Sequence, residues 1–536
     1  MICSTALLAC LFAAPTTAPI TTDRANNPDT RVEKSLAPRR YWVYFKGRGM
    51  TEEQQAAAIS DLERTYPAHA VERRRLRRES PGLFDERDLP VAPAFVATLR
   101  VTGCEIWIES SWLNAVSVKA TEETLAVVRS LPFVASVEPV RAGQPTELTD
   151  KPRRIEHAES PTGFYGLSEA QLTQINLVSL HEGGTPAYRG QGVIVGILDT
   201  GFVTTHEAFN TPGHPLQIVA ARDFINQDDN VGIEPGDPGG QHSHGTLILG
   251  VLASYKPDTL VGGAYEASFV LCKTEDIAGE YQAEEDNYVA GLQFAELHGA
   301  DVVTSSLGYI DWYSQSQLDG QTAVTTIAVN IATDNGVYCC TAAGNGGHDD
   351  DPATSRLIAP ADAFKVFTCG AVNSDGVPAG FTSDGPSADG RVKPEITARG
   401  VGTVTVHPDN DTAYVGASGT SLSTPVVACA IASLAGARPW WPVDHLRELI
   451  FSSASLGSQG GPDPLFIEGY GLLNAAAALA LDCPGDYNGD AAVDFFDYLD
   501  FAQAFSDGTN GGDFNRDGQV DFFDYLDFVG AFSAPC

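Results

Sequence analysis

Positive charge is what this 536-residue chain has least of. Its 33 lysines and arginines face 69 aspartates and glutamates, a formal net charge of −36 at neutral pH. A polyanion such as nucleic acid, or an anionic membrane surface, is therefore excluded as the main partner. Such a charge suits solubility in salt and divalent cations instead. Roughly two-thirds of the basic residues lie before residue 155, and that asymmetry marks a domain boundary. Long apolar runs are missing as well: no stretch approaches the ~20 residues of a membrane-spanning helix. A cysteine framework is also absent. Cys272, Cys339, Cys340, Cys369 and Cys429 sit in apolar segments, where a free thiol packs as a small hydrophobe. Adjacent Cys339 and Cys340 would point to opposite faces of a strand, so a bridge between them is not expected. Cys104 has no assignment, whereas Cys483 and Cys536 bracket the end of the chain and could be bridged. An apolar content of 43% excludes wholesale disorder, and the length fits three or four domains or one large core with attachments.

The N-terminus has a short apolar core, Ala6–Ala14, followed by Thr16-Thr17-Ala18. Together they read as a signal peptide over residues 1–22. No Lys or Arg precedes the core, so either the signal is atypical or the true start lies upstream. Cys10 offers a lipoprotein reading that Leu8 and Ala9 fit only loosely. The expected location is secreted or extracellular, with attachment to a cell surface left open.

Four motifs carry chemistry. Val193–Gly201 is an apolar strand ending on Asp199, and His244-Gly245-Thr246 opens the apolar run Leu247–Leu252. Thr341-Ala342-Ala343-Gly344-Asn345-Gly346 follows the apolar run that ends in Cys339 and Cys340. Gly419-Thr420-Ser421-Leu422-Ser423-Thr424-Pro425 leads into the buried-helix pattern Leu422–Ala437. A serine hydroxyl is a weak nucleophile at neutral pH and needs a base, and the base needs a carboxylate to fix its tautomer. Ser421, His244 and Asp199 are those three groups. A helix start gives Ser421 free N–H groups that favour developing negative charge, and Pro425 in that first turn gives up a donor that is largely unpaired there. Asp-Thr-Gly alone is usually a turn and His-Gly-Thr alone is weaker still; the four motifs in this order are far more specific. His242 reads as a loop or surface group, and His206 and His348 as structural or solvated ones.

These motifs resemble those of the subtilisin-like serine peptidases over roughly residues 165–480, and the chain order Asp, His, Ser is that of subtilisin. The resemblance implies an α/β fold of three layers, a parallel sheet with helices on both faces. It implies a serine endopeptidase that forms an acyl-enzyme with no cofactor for catalysis, and it maps the oxyanion-hole asparagine to Asn345. Asp301–Gly308 is similar to the family's strand that pairs with an extended peptide. Ser306, Leu307 and Gly308 would then line one wall of the primary pocket, and Ala342, Ala343 and Gly344 the other. Small residues on both walls suit a medium or large apolar side chain; the pocket floor has no assignment. Phe381–Pro386 and Gly469–Ala475 extend the resemblance. Thr397-Ala398-Arg399-Gly400 departs from the usual Ala-Pro-Gly, which implies a local loop change with retained activity.

Residues 40–145 resemble the inhibitor-type propeptide that precedes many subtilases. Strands are predicted at Tyr41–Lys46, Trp112–Val118 and Phe133–Pro139, and helices at Thr51–Arg64 and Thr121–Ser130, a ferredoxin-like α+β pattern. The basic insert Arg73–Arg78 reads as a solvated helix face, or as a group attracted to the acidic catalytic domain. A polar linker over 142–163 is the expected site of autocatalytic cleavage; the alternative is a permanent N-terminal domain.

Two repeats end the chain, Val493–Phe501 recurring as Val520–Phe528. Their loops offer Asp486, Asn488, Asp490, Asp494 and Asp497, then Asp513, Asn515, Asp517, Asp521 and Asp524, the alternating oxygens that suit Ca²⁺. A final Asp where an EF-hand has Glu resembles a dockerin repeat, and Ala491 stands where the first loop's turn wants Gly. Residues 483–536 are thus expected to be a small helical Ca²⁺-binding module, dispensable for cleavage, that attaches to an anchoring partner. Phe495-Phe496 and Phe522-Phe523 read as its two-helix core rather than a partner-binding stripe. The other expected partners are protein or peptide substrates and the chain's own propeptide as inhibitor. Two rivals stand beside the enzyme reading. A silent subtilase acting as a binding module would lack a triad or oxyanion residue, and none is lacking; a surface-assembly protein would be dominated by its C-terminal repeats.

Overall fold

Seven strands build the central sheet, in the spatial order Ile218–Asp223, Ser268–Lys273, Ile194–Asp199, Val302–Ser305, Tyr338–Ala342, Phe367–Val372 and Ile396–Arg399. Every pairing is parallel. Parallel sheets are covered on both faces, so their strands read as apolar runs with little alternation. On one face pack the helices Ser243–Ala253, Thr420–Ala437 and Val443–Ser453; on the other pack Glu285–Leu297 and Val324–Asp334. The α/β three-layer expectation is met. Cys340 belongs to the first core and Cys339 to the second, as adjacent residues on a strand must. Burial raises both thiols above their ordinary value. One stretch does approach membrane-spanning length, contrary to the sequence reading: the 18-residue helix Thr420–Ala437 is apolar and long enough, but 94% of it is buried inside this fold, which makes it a core helix.

The computed structural model describes residues 39–140, 144–145, 153–154, 163–183, 187–278, 284–309, 313–488, 492–515 and 519–533. The signal-like segment 1–22, most of the linker 142–163, Asp490, Ala491, Asp517 and Cys536 lie outside these residues.

Ahead of the central sheet stands a four-stranded antiparallel one, ordered Glu105–Ser110, Ala115–Ala120, Arg39–Phe45, Val134–Pro139. This is the ferredoxin-like order. The strand expected at 112–118 runs instead over Ala115–Ala120, and the strand Glu105–Ser110 was not foreseen. Helix Glu52–Thr65 starts as the sequence suggests: Gln54 N–H donates to Thr51 Oγ1 at 3.2 Å while Thr51 N–H donates to Gln54 Oε1 at 2.9 Å, a reciprocal cap. Both faces of the sheet are covered. Tyr41, Val43 and Phe45 turn to the domain's own helices, and Trp42, with Ile108 and Trp112, packs with residues of helix Glu285–Leu297. Arg40 and Ser117 donate to Asp286 at 2.8 and 2.6 Å, and Trp107 donates to Asn287 at 3.0 Å.

The basic insert is the main correction. Arg73, Arg74 and Arg77 are buried, not solvated. On helix Ala68–Arg77 they reach the N-terminal end of the central sheet. Arg73 pairs with Glu296 and donates to Ala300 O at 2.9 Å, Arg74 pairs with Glu296 and Asp88 at 2.8 and 2.7 Å, and Arg77 pairs with Asp301. His69 adds a 2.8 Å contact to Asp301, and the Arg77 guanidinium lies 4.6 Å from the Tyr338 ring centroid. Burial alone would raise the Asp301 and Glu296 carboxyls, yet Arg77 and His69 hold the first, and Arg73 and Arg74 the second, below the usual carboxylate range. Attraction to the acidic domain is the reading that survives.

The C-terminal repeats form helices Phe495–Asp507 and Phe522–Phe532. Their core is Phe501 stacked on Phe528 at 4.0 Å, joined by Tyr487 and by Trp440 of the preceding domain. Phe495, Phe496, Phe522 and Phe523 are instead 63–64% exposed, so the expectation that these pairs are the two-helix core is overturned. The first helical turn cannot bury side chains that point away from the partner helix. Cys483 is disulfide-bonded.

Candidate active site

Asp199 is the last residue of the central strand Ile194–Asp199, and His244 lies in the first turn of helix Ser243–Ala253, so both project from the C-terminal end of the sheet. This is where ligands bind in open α/β sheets. His244 Nδ1 lies 2.7 Å from Asp199 Oδ1. The fully buried carboxylate also accepts from Thr200 N–H at 2.7 Å and from its hydroxyl at 3.2 Å. With Nδ1 engaged, Nε2 carries the lone pair, and it has no hydrogen-bond partner among the described residues.

Ser421 opens the core helix and is itself buried. Its carbonyl accepts from Ser306 Oγ at 2.8 Å, and its hydroxyl lies 3.5 Å from Ser306 O. Ser306 therefore ties the backbone of Ser421, the candidate nucleophile, to the strand expected to bind peptide. Asn345 Oδ1 accepts from both Thr420 N–H and Thr420 Oγ1, each at 2.9 Å. Two donors on the oxygen fix the amide's orientation and turn its NH₂ away from Thr420. Sequence reasoning missed this task of Thr420, although the residue stands inside the Gly-Thr-Ser motif.

The other candidates fall into place around these groups. Leu307 and Gly308 are buried and pair antiparallel with Pro145 and Gln144 of the chain's own linker. Ala342, Ala343 and Gly344 are buried at the end of the neighbouring strand. A second linker piece, Arg153–Arg154, pairs antiparallel with Gly416 and Val415, just before Ser421. His242 is a buried group 2.9 Å from Asp409 Oδ1, not a surface one. His206 is buried with its ring on Ala413 O at 3.0 Å, and His348 Nδ1 lies 3.2 Å from Thr382 O.

Two places have cation-like chemistry. In the repeats, buried Asp497 accepts from Asn488 and Asp494 N–H at 3.0 and 2.8 Å, and buried Asp524 accepts from Asn515 and Asp521 N–H at the same two distances. Neither carboxylate has a basic partner among the described residues, so the donor set fits a hard cation. Asp494 and Asp521 also cap their helices, accepting from Phe496 and Phe523 N–H at 2.7 and 2.8 Å. Elsewhere, Asp223, Asp228 and Glu234 bring oxygens within 4.8 Å of one another. There the buried Lys273 ammonium already lies 2.8 Å from Asp223 and 3.0 Å from Asp237, supplying the positive charge from within.

Residues 190–471 match the subtilase family. The chain belongs to the subtilase family of serine peptidases. Residues 40–155 match the peptidase S8 propeptide domain of Bacteroidota. Subtilisin E of Bacillus subtilis is 28% identical over 378 residues, 70% of this chain and 83% of the relative. Subtilisin of Bacillus pumilus is 30% identical over 309 residues, 57% of this chain and 97% of the relative. Among solved structures, fervidolysin from Fervidobacterium pennivorans, a keratinolytic enzyme related to subtilisin, aligns with a TM-score of 0.58 at 21% identity. That alignment covers 83% of this chain and 61% of fervidolysin, and it carries the fold alone.

Proposed function

We propose that this subtilase is a secreted serine endopeptidase made as a self-processing precursor. The observation that carries the reading is the His244 ring, held at Nδ1 by buried Asp199 while Nε2 is left for a serine proton. Ser421 Oγ attacks the scissile carbonyl as His244 takes its proton. The resulting oxyanion is met by the Asn345 amide, which Thr420 aims, and by N–H groups at the helix start. Protonated His244 then gives its proton to the leaving amine, and water releases the acyl-enzyme by the same route in reverse. Asp199 holds the tautomer throughout.

The proposed organisation is a signal peptide over 1–22, a propeptide over 40–145, a linker over 142–163, a peptidase domain over 165–480 and a repeat module over 483–536. Pairing of Gln144–Pro145 with Leu307–Gly308, and of Arg153–Arg154 with Val415–Gly416, supports cleavage in the interval 146–152 between them. The disulfide at Cys483 supports an oxidising compartment. Ca²⁺ held through the two repeat loops would make metal binding part of that module's folding free energy, and the duplicated exposed aromatics favour an anchoring partner there.

The test is to express wild type and Ser421→Ala. Wild type should cleave casein, be phosphonylated on Ser421 by a serine-directed inhibitor and show a new N-terminus within 146–153; Ser421→Ala should remain uncleaved. Full-length wild type with full activity would remove the propeptide reading, and casein cleavage by pure Ser421→Ala would remove the catalytic one. For the repeats, chelation should lower the module's helicity and thermal stability without stopping casein cleavage. A module indifferent to millimolar Ca²⁺ would end the metal reading.

A further inference from the structure

The walls of the primary pocket are Ser306–Gly308 and Ala342–Gly344 on the reading above, and the structure shows what stands between them. Segment Leu357–Ala361 is stitched to both. Ile358 N–H donates to Ala343 O at 3.3 Å on one side; Tyr309 N–H donates to Ala359 O at 2.9 Å, and Ala359 N–H to Tyr309 O at 3.2 Å, on the other. Its one large apolar side chain between these anchors, Ile358, touches both walls at once. A Cβ placed on Gly308 would come 1.9 Å from Ile358 Cδ1, and one placed on Gly344 would come 3.2 Å from Ile358 Cγ2. Only glycine on the first wall leaves room for that side chain.

We infer that Ile358 is the floor of the primary specificity pocket and fills most of it, so that the enzyme selects substrates with a small side chain, such as alanine, before the cut bond. The inference rests on the peptidase reading and reverses the expectation drawn from the small walls alone. Their small size makes room for Ile358, not for the substrate. A β-branched side chain has restricted χ1 freedom, and one wedged between two backbones cannot swing aside for a phenyl ring without moving a wall. Ile358 is only half-buried, so the rest of its surface is left to meet a short substrate side chain. It acts by touching the substrate, and it is a specificity residue with no part in proton transfer.

The experiment compares processed wild type with Ile358→Ala and Ile358→Gly on succinyl-Ala-Ala-Pro-X anilides with X as Ala, Leu and Phe. Wild type should favour Ala over Phe by about tenfold or more in kcat/KM, the discrimination that one or two methylenes carry in an apolar pocket. The variants should reverse that order stepwise, gaining on Leu first and on Phe most in Ile358→Gly. The wild-type ranking needs no variant to fold, so a wild-type preference for Phe overturns the inference by itself. An unchanged ranking in folded variants overturns it too. No cleavage of any anilide together with no phosphonylation of Ser421 would instead remove the peptidase reading, and this inference with it.

Discussion

The two ends of the central sheet are built on opposite plans. At the C-terminal end, Asp199, His244, Asn345 and Ser421 are held by short contacts to backbone and small side chains, and the buried His244 Nε2 atom has no hydrogen-bond partner among the described residues. At the N-terminal end, the arginines of helix Ala68–Arg77 close on Glu296 and Asp301, so that charge is buried and paired. Buried polar groups cost free energy unless satisfied. On the proposed function, one end tolerates an unpartnered group because a substrate would complete it; the other has its groups filled by a domain that maturation would remove. The arginine contacts lie at the end opposite Asp199, His244 and Ser421, so they can be perturbed without touching those groups, even though the linker also pairs at the catalytic end.

The largest effect tests the catalytic end alone. Ser421→Ala should lower kcat by about six orders of magnitude, the size of loss found in subtilisin, while the N-terminal domain still docks. Loss of docking, seen as a protease-sensitive precursor, would mean that the two ends are not independent. Next comes Asn345→Ala, expected to lower kcat by about 10²–10³ with KM nearly unchanged, again the magnitude known for subtilisin's own donor. Thr420→Val should give a milder loss, about tenfold in kcat, and Thr420→Ser should restore it, because Thr420 acts by aiming the Asn345 amide. A change confined to KM would contradict both assignments.

At the other end, Arg73→Ala or Arg77→Ala in the N-terminal domain should weaken its inhibition of the mature enzyme by about 10²–10⁴, since breaking a buried pair costs roughly 3–5 kcal/mol. The kcat of the mature enzyme should not move. A variant domain that inhibits as tightly as wild type breaks the comparison. Because Asp301 and Glu296 are held below the usual carboxylate range, their contribution to docking is complete above that range. It is lost progressively as pH falls from the usual carboxylate range toward their lower docked values. Inhibition should therefore be flat from pH 8 to 5 and weaken below about pH 4.

The smallest effect lies between the two ends. Burial, with Arg189 nearby, pushes buried His181 down to about 4 from 6.5, and its ring bonds the Tyr165 and Ser433 hydroxyls at 3.0 and 3.2 Å. The folded state holds it neutral, so stability is full above pH 6.5 and erodes as pH falls from there to about 4. The thermal midpoint of the mature enzyme should drop across that window, and His181→Gln should flatten the drop.

What could be read from the sequence follows the same division. Asp199, His244, Asn345 and Ser421 stand in contiguous motifs, so the sequence could place all four at the ends of the elements where the structure has them. The Asp199 strand and the Ser421 helix were visible because apolar runs announce buried elements. Arg73, Arg74 and Arg77 were misread because a run of arginines looks solvated until Glu296 and Asp301, more than 200 residues away, are placed. Phe495 and Phe522 were misread because a repeat shows which residues recur but not which face of each helix meets the other. Ile358 carried no local signal, since only the backbone pairing of Ala343 and Tyr309 reveals what it fills.

The N-terminal sheet has both faces covered, the second by the peptidase domain through Trp42, Ile108 and Trp112. If the domain leaves as proposed, that face meets water, and a small β-sheet with one bare apolar side is prone to unfold or aggregate. It would then be an extended chain next to a protease. On the proposed maturation, the released inhibitor would become food for the enzyme it restrained, and activation would run in one direction like a ratchet.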